Sequence, residues 1–115
     1  MIGLIQRVSW SRLTIDGELH AEISAGLLTF VGIEKEDVSS DVDKLLHKLL
    51  HYRVFADDEG KMNVGLKDAG GELLLVSQFT LAASTDKGLR PGFSTAKPPD
   101  QAEQLFDELV TKASQ

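Results

Sequence analysis

Short apolar runs separated by charged or glycine-bearing breaks organise this chain, and the period of the apolar positions changes along it. Ile2, Leu4, Ile5 and Val8 predict a strand over residues 2–8. Residues 11–23 read as a hairpin. Leu13 and Thr14 face opposite ways, and after the turn Leu19, Ala21 and Ile23 alternate with Glu18, His20 and Glu22. A two-residue Asp16-Gly17 loop would pair Ile15 with Glu18 and Thr14 with Leu19, mixing the faces. A three-residue loop of Ile15, Asp16 and Gly17 pairs Leu13 with Leu19 and Thr14 with Glu18. The pattern favours the second, with Gly17 left-handed. Leu27 to Ile33 is a further strand, ended by the charged turn Glu34-Lys35-Glu36-Asp37.

The period then lengthens. Val42, Leu45, Leu46 and Leu49 form the apolar stripe of a helix from about Ser40 to Tyr52, with Ser40 and Asp43 as a capping box. Arg53-Val54-Phe55 leads into a short strand, and Asp57-Asp58-Glu59-Gly60 and Gly70-Gly71 are turns. Leu73-Leu74-Leu75-Val76 reads as a buried strand. Residues 84–98 form a Gly- and Pro-bearing loop. A last helix spans about 100–113, with Asp100 as N-cap, Glu103 completing the box, and Ala102, Leu105, Phe106, Leu109 and Val110 on its stripe. Strands dominate the first third and helices follow. The expected fold is α+β: one domain over residues 1–115, a mainly antiparallel sheet or partial β-barrel with two flanking helices.

Composition narrows the function. With 115 residues and 42% apolar content the chain can bury a real core. A formal net charge of −6 argues against a general nucleic-acid binder, although a local basic patch remains open. The absence of cysteine removes disulfides, thiolate zinc sites and a cysteine nucleophile, and agrees with a reducing cytoplasm. The N-terminus reads as no signal peptide, and no run is long enough to span a membrane.

The candidate chemistry centres on Ser77-Gln78-Phe79-Thr80, which leaves the apolar strand directly. Hydroxyls and an amide on a rigid strand end suit the binding or processing of a small polar group; the plain alternative is a strand that ends in polar residues. Phe79 points to the opposite face, as core or as pocket wall. No base is legible beside Ser77 or Thr80. The economical mechanism therefore uses strand-end amides and hydroxyls as oxyanion donors, with substrate or water as nucleophile. Arg90-Pro91-Gly92-Phe93 offers a guanidinium for a phosphate and a ring for a base, or a solvated Arg beside a core-anchored Phe. His47 and His51 have a metal-ligand spacing but lie opposite the apolar stripe, facing solvent; a metal hydrolase built on them is the weaker option. His20 reads as a surface residue, residues 57–59 as a turn lacking calcium-loop spacing, and Gly70-Gly71 as no phosphate loop.

Met1-Ile2-Gly3-Leu4-Ile5-Gln6-Arg7-Val8 resembles the start of the D-aminoacyl-tRNA deacylases. Ala25-Gly26-Leu27-Leu28, Val31-Gly32-Ile33, Tyr52-Arg53-Val54-Phe55 with Asp58, and Gly60-Lys61-Met62-Asn63 fit the same family. Ser77-Gln78-Phe79-Thr80-Leu81 resembles its first signature, and Arg90-Pro91 with Phe93 the loop after it. The resemblance runs from residue 1 through the final helix. It implies a cytoplasmic homodimer that hydrolyses the ester between a D-amino acid, or mischarged glycine, and the terminal ribose of tRNA, without metal or organic cofactor. It implies that Ser77, Gln78, Phe79 and Thr80 line the pocket for the aminoacyl-adenosine end and that Arg7 helps hold the neighbouring pocket. Thr80 has been regarded as nucleophile in this family; the competing view uses the ribose 2′-OH and is preferred here, because no base is committed to Thr80.

The family's second signature, Asn-x-Gly-Pro-Val-Thr with a cis Gly-Pro bond, has no counterpart in these residues; Pro91-Gly92 reverses the order. The resemblance implies that this segment reaches into the partner's site and excludes L-amino acids. The expectation is a truncated form or a defective paralogue, with a sheet edge or dimer surface exposed. The alternative function is a non-catalytic module that binds the aminoacyl-tRNA 3′ end.

Overall fold

The computed structural model describes residues 1–78, 81 and 97–114. Its elements are β1 (Ile2–Val8), β2 (Ser11–Ile15), β3 (Glu18–Ile23), β4 (Gly26–Gly32), α1 (Ser39–His51), β5 (Phe55–Ala56), β6 (Met62–Val64), α2 (Leu66–Ala69), β7 (Glu72–Ser77) and α3 (Pro99–Ala113). The fold is α+β. Three strands form a sheet in the order β1-β4-β7, and β2-β3 and β5-β6 form two-stranded sheets. Central β4 is buried along most of its length, as its apolar run requires. Glu72 N–H donates to Ala25 O at 3.0 Å and Gln78 N–H to Val31 O at 2.8 Å. The partner numbers climb together, so β7 runs parallel to β4 and the sheet is mixed. The hairpins, which do pair antiparallel, carried the expectation of an antiparallel sheet. β4 and β7 are instead joined by a long connection containing α1, which permits parallel pairing.

Chain contacts divide the molecule into two compact units. The first comprises Met1–Leu4, Phe30–Leu46 and Ser77–Gln115. Its buried apolar residues include Val31, Ile33, Val42 and Leu109. Helix α1 begins one residue before its expected start, and its cap differs from the expectation. Asp41, not Asp43, reaches back, accepting Val38 N–H at 2.9 Å. Asp43 instead pairs with Lys112 on α3 at 2.7 Å, and Ser39 donates to Glu108 at 2.9 Å. Helix α3 also begins one residue early. Pro98 is its N-cap and Pro99 its first turn, so Asp100 makes no side-chain cap. A proline has no N–H to satisfy and a preset φ, which lets the helix start without the expected acid. The terminal amine of Met1 binds Glu34 and Asp37 at 2.8 Å each. Burial opposes its charge, but the hydrogen bonds to Asp37 and Glu34, with their negative charge, outweigh burial and raise the amine above its ordinary range.

The second unit comprises Ile5–Thr29 and His47–Val76. Ile23, Leu27, Leu49, Leu66 and Leu74 are buried in it. Its β2-β3 hairpin has the register rejected on pattern: Ile15 opposes Glu18 and Thr14 opposes Leu19. Asp16 (φ 51°) and Gly17 (φ 81°) are both left-handed, as a two-residue primed turn needs. A bulge between Leu13 and Thr14 then sets Leu13 against Ala21 and restores the faces. Ile15 and Leu19 are 49% and 57% exposed, so no burial at the tip opposes the turn's choice of register. The four-residue α2 was not anticipated. It turns Leu66 into the core, and Gly70 (φ 68°) ends it. Gly26 is needed for close approach, since a Cβ there would collide with the Glu72 carbonyl oxygen.

Candidate active site

Ser77 is the last residue of β7 and Gln78 follows it; both are exposed. The Gln78 N–H bond to Val31 extends the sheet ladder one residue past the strand. Leu81 N–H donates to Gln78 O at 3.2 Å. A hydroxyl and an amide are thus presented at a backbone fixed by the central strand, as the transition from apolar to polar residues implied. Phe79, Thr80, Arg90 and Phe93 lie outside the described residues.

Arg7 belongs to the second unit, while Ser77 and Gln78 belong to the first. It is exposed on β1, and its Nη1 donates to the Val54 carbonyl at 2.7 Å and to Met62 Sδ at 3.2 Å. Among the described residues no carboxylate pairs with it, so its charge remains available for an external anion or carbonyl. Asp57 stands in the expected turn but also anchors its neighbours. Its Oδ1 accepts N–H bonds from Glu59 and Lys61, and its Oδ2 accepts from the Asn63 side chain, each at 2.9 Å. The Asn63 bond first, then the Lys61 and Glu59 amides, hold its carboxyl below the ordinary range. An acid followed within six residues by Gly60 and Asn63 was the only sequence signal of this network.

His47 and His51 are exposed on α1 with ring centroids 4.6 Å apart, and His20 is exposed on β3. Among the described residues no group of three or more metal-ligating side chains is assembled. A cleft of about 370 Å³ in the first unit is lined by Ser39, Lys97, Gln101, Gln104 and Glu108 among others. Lys97 Nζ is already committed there to the carbonyls of Lys35 (3.0 Å) and Asp37 (2.8 Å). No described helix is long and apolar enough to cross a membrane.

The family model described as D-Tyr-tRNA(Tyr) deacylase matches residues 4–115. The D-aminoacyl-tRNA deacylase of Pseudomonas fluorescens (strain Pf0-1) is 57% identical over 115 residues, covering 100% of this chain and 79% of that protein. That of Stutzerimonas stutzeri (strain A1501) is 59% identical over 113 residues, covering 98% and 78%. The solved structure titled c-Myc DNA Unwinding Element Binding Protein is 34% identical with a TM-score of 0.91, covering 96% of this chain and 74% of that one. A probable eukaryotic D-amino acid tRNA deacylase shares the fold, with a TM-score of 0.80 at 15% identity, covering 96% and 67%. The chain belongs to the D-Tyr-tRNA(Tyr) deacylase family.

Proposed function

We propose that this chain hydrolyses the ester of D-aminoacyl-tRNA, and of glycine mischarged onto tRNA, releasing free amino acid as a proofreading step. The observation that carries this is identity of 57–59% to proteins named D-aminoacyl-tRNA deacylase across essentially all of its residues. In this reading Ser77, Gln78, Phe79 and Thr80 line the pocket, and Arg7 holds its neighbourhood. Arg90 meets a phosphate and Phe93 stacks on the terminal adenine. The Gln78 N–H is committed to Val31, so oxyanion stabilisation falls to side chains and to other amides of the segment. The ribose 2′-OH serves as nucleophile, and neither metal nor organic cofactor takes part. The working form is a cytoplasmic homodimer. Support for a second copy comes from Trp10, Ile15 and Leu19, which are exposed in the second unit.

The test follows free amino acid released from D-Tyr-tRNA and L-Tyr-tRNA. Release from the D ester is expected, and Gln78→Ala should lower kcat/KM by roughly a hundredfold or more while the chain stays folded. Unchanged turnover in Gln78→Ala and Thr80→Ala would show that the site lies elsewhere. Binding without release would replace the hydrolase by the 3′-end binding module.

A further inference from the structure

We propose that Asp57 is a positioning residue for Arg7, acting through the β5-β6 hairpin and Met62. This deepens the reading of Arg7 as a pocket residue and rests on it. A long exposed guanidinium loses much rotamer freedom when held in one direction, and something must compensate that loss. Two neutral acceptors hold Arg7: the Val54 carbonyl, directly before β5, and the Met62 sulfur, at the start of β6. Met62 belongs to the small β5-β6 hairpin and Val54 leads into it.

Two strands this short do not hold a register by their own pairing. The carboxylate of Asp57 supplies what they lack. It binds Lys61 N–H through one oxygen and the Asn63 amide through the other, fixing the residues on either side of Met62. Asp57 N–H closes the loop on Lys61 O at 2.7 Å. The ladder then sets Met62 opposite Ala56 and Val64 opposite Phe55. The sulfur that meets Arg7 therefore stands where the Asp57 network puts it. The acceptors that orient the guanidinium are uncharged, so its direction is fixed without its charge being neutralised. That arrangement suits a residue meant to meet an anionic or carbonyl group of a substrate.

The experiment compares wild type, Arg7→Ala, Asp57→Ala, Met62→Leu and the Asp57→Ala/Arg7→Ala double variant by two readouts. The first is the ¹⁵N signal and relaxation of the Arg7 guanidinium in the free protein. It should be ordered in wild type and motionally averaged in Asp57→Ala and Met62→Leu. The second is kcat and KM on D-Tyr-tRNA. Asp57→Ala should lower kcat/KM on the order of tenfold, the scale of a small misplacement. The double variant should match Arg7→Ala alone, because a positioning residue has no effect once its target is gone. An Arg7 signal unchanged in Asp57→Ala, or losses that multiply in the double variant, would overturn the proposal while leaving Arg7 in the pocket. No effect of Arg7→Ala itself would remove both. Should Asp57→Ala fail to fold, Asn63→Ala takes its place: it removes one bond of the Asp57 carboxylate and leaves the other two, and an Arg7 signal unchanged in it would overturn the proposal.

Discussion

Thr29 is fully buried in β4, and its hydroxyl has no hydrogen-bond partner among the described residues. A desolvated, unpaired hydroxyl destabilises a strand that is otherwise apolar. Thr29→Val should therefore raise stability by about 1 kcal/mol, seen as a higher urea midpoint with unchanged slope. A lower midpoint would show that the hydroxyl is satisfied. Asp57 gives a signed pH dependence. Its folded carboxyl titrates below the ordinary range, so its contribution is present above the unfolded Asp value of about 4. That contribution is lost as pH falls through the folded value. Arg7 relaxation measured down an acid titration checks this: order should disappear on the acid side of that window. At this scale the sequence revealed which residue types stand at the strand end. It did not reveal Asp57, because a turn-forming Asp and an Asp that also anchors its neighbours look alike until the loop is closed.

Element boundaries were mostly legible. Strand β1 falls on the expected residues 2–8, and α1 and α3 each start one residue early, because apolar periodicity reports packing faces. Capping was less legible: several acids stand near each helix start, and only the entry angle of the chain decides which reaches back. Asp41→Ala should cost about 1 kcal/mol through loss of that bond, whereas Ser40→Ala should cost little; thermal unfolding of the two variants compares them. In the hairpin the alternating pattern misled, because it was treated as a burial pattern at a tip where Ile15 and Leu19 face solvent. The Asp-Gly dipeptide was the better guide. Gly17 (φ 81°) has open space around its Cα, so Gly17→Ala meets no clash and should cost about 1–2 kcal/mol from backbone conformation alone. Helix α2 was missed because four residues are too few to show a period.

At the scale of the whole molecule, a chain of net charge −6 does not suit extensive phosphate contact. A shallow salt dependence of kcat/KM is expected, consistent with a grip on the acceptor end; a steep slope would imply a broad phosphate track. The raised amine of Met1 adds a pH dependence of opposite sign to that of Asp57. Its contribution is complete below about pH 8 and lost as pH rises through the higher folded value, which a denaturation series on the alkaline side would record. The parallel register of β4 and β7 bears on how the chain reaches its native state. The β2-β3 turn can close as soon as its residues exist, but Glu72 must return across a loop of roughly 50 residues to meet Ala25. Completion of the central sheet is therefore a late, non-local event, slower than the zipping of local turns. Until then β4, largely buried in the finished fold, has one unpaired edge facing the solvent, and that interval is when nascent copies are most prone to stick to one another.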